Sequence, residues 1–288
     1  RHTRFKCDWS SDVCSSDLGW INAVRAQVRS GVAAPPVIHD LHGRIDAMRV
    51  VKDAHELAMM RRAAAISTVA HARAMRAAKT AQNEYEVEAE LLHEFRRGGA
   101  QAPAYTPIVA GGANACVLHY VSNDAPLVQG SLLLIDAGCE FNGYASDITR
   151  TFPVSGRYSA AQRDVYQLVL AAQAAAMAAT RAGVRWNEPH DAAVRVLAQG
   201  MIDFGLCKGS LDAALESGDY RRFYMHRTGH WLGLDVHDAG EYKHDGEWRV
   251  LEPGMVLTVE PMYWVSTGLT LAAATKKRVL LLPSAASR

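Results

Sequence analysis

Residues 132–154 read LLLIDAGCEFNGYASDITRTFPV. An apolar run closes on Asp136, Asn142-Gly143 follows, and a second acid, Asp147, stands eleven residues past the first. Asn-Gly suits a two-residue hairpin turn because both positions take the left-handed conformation. A hairpin here places Asp136 and Asp147 on neighbouring strands. Alone, Asp136 reads as an acid turning to solvent at a strand end, since a buried carboxylate is costly without partners. Two adjacent carboxylates repel, and one stays protonated unless a cation lies between them. The hairpin thus raises a metal reading level with the solvent one.

Downstream, residues 226–238 read HRTGHWLGLDVHD, with His226, His230 and His237 inside twelve residues. A lone histidine is more often a satisfied core residue than a ligand. Three so close, following two acids, are harder to assign to packing. His226 and His230 have the spacing of one helix face, but Gly229 and Gly233 favour a loop or strand. No glutamate follows His226, so this is not the HExxH helix of zincins. Residues 256–261, VLTVEP, repeat the pattern of an apolar strand closed by an acid, Glu260. Mixed Asp, Glu and His donors suit Mn²⁺, Co²⁺ or Zn²⁺.

Outward from these stretches, Asp53 to Lys79 lacks proline and glycine and is rich in Ala, Leu and Met, predicting a helix. Asn83 to Arg97 carries Val87, Leu91, Leu92 and Phe95 at helical spacing, with Asn83 as its cap. Strands are predicted at Ile108-Val109, Val117–Val121, Leu132–Ile135 and Ile148–Val154. Helices return at Ser159–Arg181 and Asn187–Phe204, each opened by a capping residue type. Arg222–His226, Leu234–His237 and Met255–Glu260 read as further strands. Helices followed by strands, twice over, predict an α+β fold with helices backing a curved antiparallel sheet. The two halves hint at a pseudo-twofold without evident sequence identity.

The bulk numbers are those of a globular chain. Of 288 residues, 49% are hydrophobic and 21% charged, with a formal net charge of +1. That balance gives no reason to expect nucleic acid or an anionic membrane as partner. Five sparse cysteines and no CxxC pair point away from a disulfide framework and toward a reducing, cytoplasmic setting. Cys139 reads as a small packing residue. No signal peptide is visible, and Val165–Thr180, the most apolar stretch, falls short of a membrane span. Gly111-Gly112-Ala113-Asn114 lacks the lysine of a phosphate loop, and no GxSxG elbow is present.

The two ends read differently. Asp8–Leu18 (DWSSDVCSSDL) lacks periodicity and resembles a translated sequencing adaptor, so residues 1–18 are set aside as artefactual. Residues 19–48, with Ala33-Ala34-Pro35-Pro36, read as a linker or the remnant of an upstream domain. Residues 49–261 form the main domain. Residues 262–288 read as an aberrant or frameshifted tail; a hydrophobic strand with a loose end is the other reading. No Asp or Glu occurs from Pro261 onward.

LHY at 118–120, IDAGCEFNGYASDITRTFPVSG at 135–156, HRTGHWLGLDVHD at 226–238 and LEPGMVLTVEP at 251–261 resemble the metallopeptidases of pita-bread fold. Within that fold the wording is most similar to bacterial Xaa-Pro aminopeptidases. The resemblance runs from about Arg49 to Pro261. It implies two divalent metal ions, Mn²⁺ first, with Co²⁺ or Zn²⁺ as alternatives. Asp136 would chelate one metal, Asp147 bridge both, and His230 and Glu260 hold the other. His119, His226 and His237 would orient substrate and stabilise the tetrahedral intermediate. Glu260 would also move a proton, and Tyr105 would line the pocket. The implied partners are peptides beginning Xaa-Pro, and the implied state of the full-length parent is a homo-oligomer. A second bridging glutamate, expected some twenty-odd residues after Glu260, has no counterpart, which predicts a weak second metal and little activity. Two other functions fit the same fold: a prolidase, which cleaves only dipeptides, and a non-catalytic binding protein, which has no need to keep Asp136, Asp147, His230 and Glu260 together.

Overall fold

The computed structural model describes residues 13–34, 37, 39, 41–263, 274–275 and 278–282. The chain divides into two units, residues 1–42 and 43–288. In the first, α1 (Val13–Arg25) is followed by a 3-10 turn at Val28–Ser30. Residues 13–18 therefore lie in a helix, where their sequence shows no periodicity. Residues 19–25 of α1 are exposed or half-buried. The first twelve residues, and Pro35 and Pro36 of the expected linker, lie outside the described residues.

α2 (His42–Val50) begins at the last residue of the first unit, and the long α3 (Ala54–Ala77) follows it in the second. Asp53 caps α3 in a reciprocal box: its side chain accepts from Glu56 N at 2.8 Å, and the Glu56 carboxylate accepts from Asp53 N at 2.7 Å. Met60, Ala63, Ile66, Ser67, Ala70, His71 and Ala74 form the buried stripe of α3. α4 (Glu84–Arg97) buries Val87, Leu91 and Phe95 against it. Both helices cover short antiparallel strands: β1 (Ala102–Pro103), β2 (Ile108–Gly111), β3 (Leu132–Asp136), β4 (Cys139–Phe141), β5 (Tyr144–Ala145) and β6 (Thr149–Pro153). They pair in the orders β1-β4-β5 and β2-β3-β6. Asn142 and Gly143 have φ of 50° and 85° and make the expected two-residue turn between β4 and β5.

The helix-and-strand arrangement then recurs. α5 (Ala160–Ala179) starts from a capping box of Ser159 and Gln162, and α6 (Glu188–Asp203) packs along it. α7 (Leu211–Ser217) follows, capped by Ser210. β7 (Lys243–His244) and β8 (Glu247–Trp248) form a small hairpin. β9 (Val256–Val259) lies under α5 and α6 through Val259. β10 (Met262–Tyr263) pairs with β11 (Ala274–Thr275), and β12 (Arg278–Leu281) pairs with β9. The segment read as a tail thus supplies three strands; residues 264–273, 276–277 and 283–288 lie outside the described residues. No helix among the described residues is long and apolar enough to cross a membrane.

Three expected strands are loops. Val117–Val121 is irregular because His119 sits at φ 54°, in the left-handed region no strand accommodates, and Val117, Leu118 and Val121 are exposed. Arg222–His226 is preempted by a 3-10 turn at Asp219–Arg222 and by the burial of Tyr224 in the α5–α6 core. Leu234–His237 curls back on itself: Gly233 N donates to Asp235 O at 3.1 Å, and Asp238 N to Trp231 O at 3.1 Å. Two caps also differ. Asn83 makes no side-chain cap, its amide donating instead to Tyr85 and Glu86. Asn187 makes none either, its amide donating to Asp191. The short α7 has no counterpart in the sequence reading.

Candidate metal centre

The two hairpin acids meet at one phenol. Tyr105 OH is within hydrogen-bond distance of Asp136 Oδ1 and lies 2.8 Å from Asp147 Oδ1. A phenol has one proton, so the two carboxylates share it. Burial, then the charges of Asp136 and Asp147, push the Tyr105 pKa well above the ordinary value. Asp136 ends β3 and pairs in register with Thr149 of β6. Asp147 lies between β5 and β6 and is fully buried. Around them the ladder is carried by Ala137 N to Ile148 O (3.1 Å) and Ser146 N to Cys139 O (3.0 Å). A Cβ on Gly138 would stand 1.7 Å from Ser146 O, so only glycine lets the two strands close at this point.

α3 grips the same turn from behind. Ser67 Oγ accepts from Cys139 N at 3.0 Å and bonds Ser146 Oγ at 2.8 Å. One helical turn on, His71 Nε2 donates to Ala137 O at 2.9 Å. His71 is buried, and that burial lowers its pKa from 6.5 to about 4, so it is neutral near pH 7. An i, i+4 pair on one buried helix face thereby fixes the backbone on either side of Gly138, between the two acids.

His230 faces the acids from the opposite side. Its Nδ1 lies 2.8 Å from Trp231 O, which can only accept, so Nδ1 carries the proton and Nε2 presents its lone pair. That nitrogen is 3.1 Å from Asp147 Oδ2 and 3.2 Å from Glu260 Oε1. Acceptors facing acceptors need a cation or an added proton between them; a nitrogen with carboxylate oxygens is a donor set for a divalent transition metal. Thr258 ties the parts together. Its hydroxyl donates to Glu260 Oε1 at 2.8 Å and accepts from His230 N at 3.0 Å. A Cβ on Gly229 would lie 2.1 Å from Thr258 O, so this glycine permits the loop to approach β9. His237 stacks edge-on to His230, ring centroids 4.3 Å apart.

A buried ion pair clamps the far end of the histidine loop. Lys52 Nζ is 2.9 Å from Asp238 Oδ2, with both side chains about 1% exposed. Arg49 bonds Asp238 as well and reaches Asp235 at 2.7 Å. His237 is held between these anchored residues. Burial pulls the Lys52 pKa down, and Asp238 opposes the shift. The loop bearing His119 is fastened by Glu84, which is fully buried and accepts four bonds. The donors are Gly111 N (2.7 Å), Asn114 Nδ2 (3.1 Å), Tyr120 OH (2.8 Å) and Ala125 N (3.0 Å).

All eight side chains singled out from sequence line two neighbouring cavities of about 370 Å³ each. One holds His119, Asp136, His226, His230, His237 and Glu260; the other holds Tyr105, His119, Asp136, Asp147 and His237. Sequence reasoning missed the residues that hold them: Ser67, His71, Glu84, Lys52, Asp238 and Thr258. Only Ser67 and His71 left a trace, as polar residues on the apolar face of a predicted helix.

Helix-backed antiparallel strands here bring carboxylates and an imidazole together, the kind of donor set a metallohydrolase uses. Residues 58–279 match the model of metallopeptidase family M24, and the chain belongs to that family. Its fold is the α+β, pita-bread class. The chain is 48% identical over 229 residues to the Xaa-Pro aminopeptidase of Haemophilus influenzae, covering 80% of this chain and 53% of that protein. It is 43% identical over 246 residues to the Xaa-Pro aminopeptidase of Escherichia coli, covering 85% and 56%. Among solved structures, Pseudomonas aeruginosa aminopeptidase PepP superposes with a TM-score of 0.87 at 45% identity, covering 93% of this chain and 62% of that one. Aminopeptidase P from Escherichia coli with the inhibitor Pro-Leu gives 0.89 at 37% identity, covering 96% and 64%. The chain spans about half the length of the curated relatives it matches.

Proposed function

We propose that this chain carries the catalytic centre of an aminopeptidase that releases the N-terminal residue from peptides with proline in second position. The observation that carries the reading is the disposition of Asp147. Its Oδ1 faces Tyr105, which also bonds Asp136, while its Oδ2 faces His230, which also lies 3.2 Å from Glu260. A carboxylate whose two oxygens face different groups could help to hold two cations. Asp136 then serves one cation, and His230 and Glu260 the other. When bound, the two divalent cations, most simply Mn²⁺, supply Lewis-acid polarisation and lower the pKa of the attacking water.

The protein groups do the rest. Trp231 O fixes the His230 tautomer, so that Nε2 is the atom that would hold a cation. Glu260, anchored through Oε1 by Thr258, is placed to move a proton between the water and the leaving amine. His119, His226 and His237 line the cleft, where imidazole N–H groups can orient the peptide carbonyl and offset charge developing on its oxygen. The relatives named as Xaa-Pro aminopeptidases support proline as the second residue.

One feature sets a limit on the second cation. The strand paired with β9 is β12, whose residues Arg278, Val279, Leu280 and Leu281 include no carboxylate. One tight and one weak Mn²⁺ site, with little turnover, are expected. The test is Mn²⁺ titration by calorimetry together with cleavage of Xaa-Pro and Xaa-Ala tripeptides and Xaa-Pro dipeptides. Cleavage of Xaa-Pro tripeptides above the Xaa-Ala background supports the reading. Cleavage of dipeptides alone would favour a prolidase, and no Mn²⁺ uptake would overturn the metal assignment.

A further inference from the structure

Beside the two cavities of the candidate metal centre lies a further one of about 460 Å³, which shares His226 and Arg227 with the cavity that holds His230 and Glu260. Its other polar walls include His190, Asp191 and Arg221. Two guanidinium groups here rest on aromatic rings: Arg227 lies 4.7 Å from the centroid of Trp248, and Arg221 5.8 Å from that of Tyr220. Stacking holds a guanidinium by its face and leaves its N–H edge for a planar anion. Neither group pairs with a carboxylate among the described residues. Neighbouring arginines do: Arg222 lies 3.2 Å from Asp219 and Arg185 2.9 Å from Glu247. Asp191, the acid on this wall, takes a hydrogen bond from Asn187 at 2.7 Å. His190 registers the local potential. Burial first, then the charge of Arg227, lowers its pKa to about 4; Asp191 opposes the shift, and His226 and Arg221 add smaller contributions to it.

We infer that this cavity is a carboxylate-binding subsite, in which Arg227 and Arg221 receive an acidic group of the peptide downstream of the scissile bond. The inference rests on the aminopeptidase reading, because an enzyme that removes one N-terminal residue leaves the rest of the peptide on the far side of the bond. The carboxylate is the free C-terminus of a short peptide or an Asp or Glu side chain in a longer one. Arg227 lines both cavities, so a substrate reaching from the metals into this space must pass it. The paired rings and unpaired guanidiniums thus give the chain a preference among Xaa-Pro peptides that the metal centre alone does not.

The test is equilibrium binding, with Mn²⁺ present, of Ala-Pro-Ala, its C-terminal amide, and the amide of Ala-Pro-Ala-Glu. The chain is compared with its Arg227→Gln and Arg221→Gln variants and the double variant. The acid is expected to bind about fivefold more tightly than the amide, an advantage that shrinks as salt rises. The double variant is expected to bind acid and amide alike, with Mn²⁺ affinity unchanged. A glutamate that restores tight binding to the longer amide identifies the side chain as a second source of the carboxylate. Equal binding of acid and amide by the unaltered chain, or an advantage that survives in the double variant, overturns the subsite and leaves the peptidase reading standing. Failure of all three peptides to bind overturns both.

Discussion

The acidic hairpin and the histidine loop meet at one centre but are built in opposite ways. Asp136 and Asp147 sit on a ladder whose register, turn and glycine contact are repeated backbone interactions, reinforced from behind by Ser67 and His71. His226 to Asp238 has no regular strand. Its shape rests on Gly229 against Thr258, on the Nδ1 bond of His230, and on the buried Lys52–Asp238 pair. A ladder distributes its stability over many bonds, whereas the loop concentrates it in a few charged and polar ones. Ligand geometry on the hairpin should therefore resist single substitutions away from the acids themselves, and geometry on the loop should not.

The strongest way to break this comparison is at the acid that faces both halves. Asp147→Asn is expected to weaken Mn²⁺ binding at least about 1,000-fold, beyond the roughly 10- to 100-fold effect of outer-shell partners, as read by calorimetry. Lys52→Met leaves the buried Asp238 with Arg49 as its remaining cation partner and is expected to destabilise the chain by about 4 kcal/mol in urea denaturation. The pair Lys52→Met with Asp238→Asn should recover much of that loss; if it does not, packing rather than charge holds the loop.

A pH series tests the grip behind the hairpin. The folded pKa of His71, about 4, lies below its ordinary 6.5, so the unfolded chain takes up the proton first. Its contribution is fully present above about pH 6.5 and is lost as pH falls toward 4, by up to about 3 kcal/mol. His190, also lowered to about 4 by burial and Arg227, acts in the same window. In His71→Asn the dependence of urea stability on pH over that range should flatten, and an unchanged slope would assign it elsewhere. The smallest effect is expected at Glu84→Gln, about 2 kcal/mol, because the amide can still accept at Oε1 but not at both oxygens. Hydrogen exchange should quicken in residues 111–125, the loop carrying His119, ahead of the hairpin.

Sequence was most informative where chemistry and local structure coincide. The run Leu132 to Asp136, the Asn142-Gly143 turn and Asp147 could be read as a hairpin with paired acids because turn preference and strand alternation act over a few residues. The α3, α5 and α6 helices were legible for the same reason, as was the capping residue Ser159. His226, His230 and His237 were noticed by type and spacing, yet the strands expected around them and around His119 are loops. Their shape depends on partners far away in the chain: Lys52 for Asp238, Thr258 for His230, Glu84 for the His119 loop.

By itself the sequence determined which side chains were available for metal chemistry and which segments were helices and hairpins, since those follow from residue type and short-range geometry. Only the tertiary structure decided that Asp147 turns its two oxygens to different neighbours, that the His230 proton lies on the far side of its ring, and that Arg227 and Arg221 make no ion pair among the described residues. The Asp147 contacts are distances between residues tens of positions apart, and burial makes such distances energetically decisive while leaving little local trace in the chain.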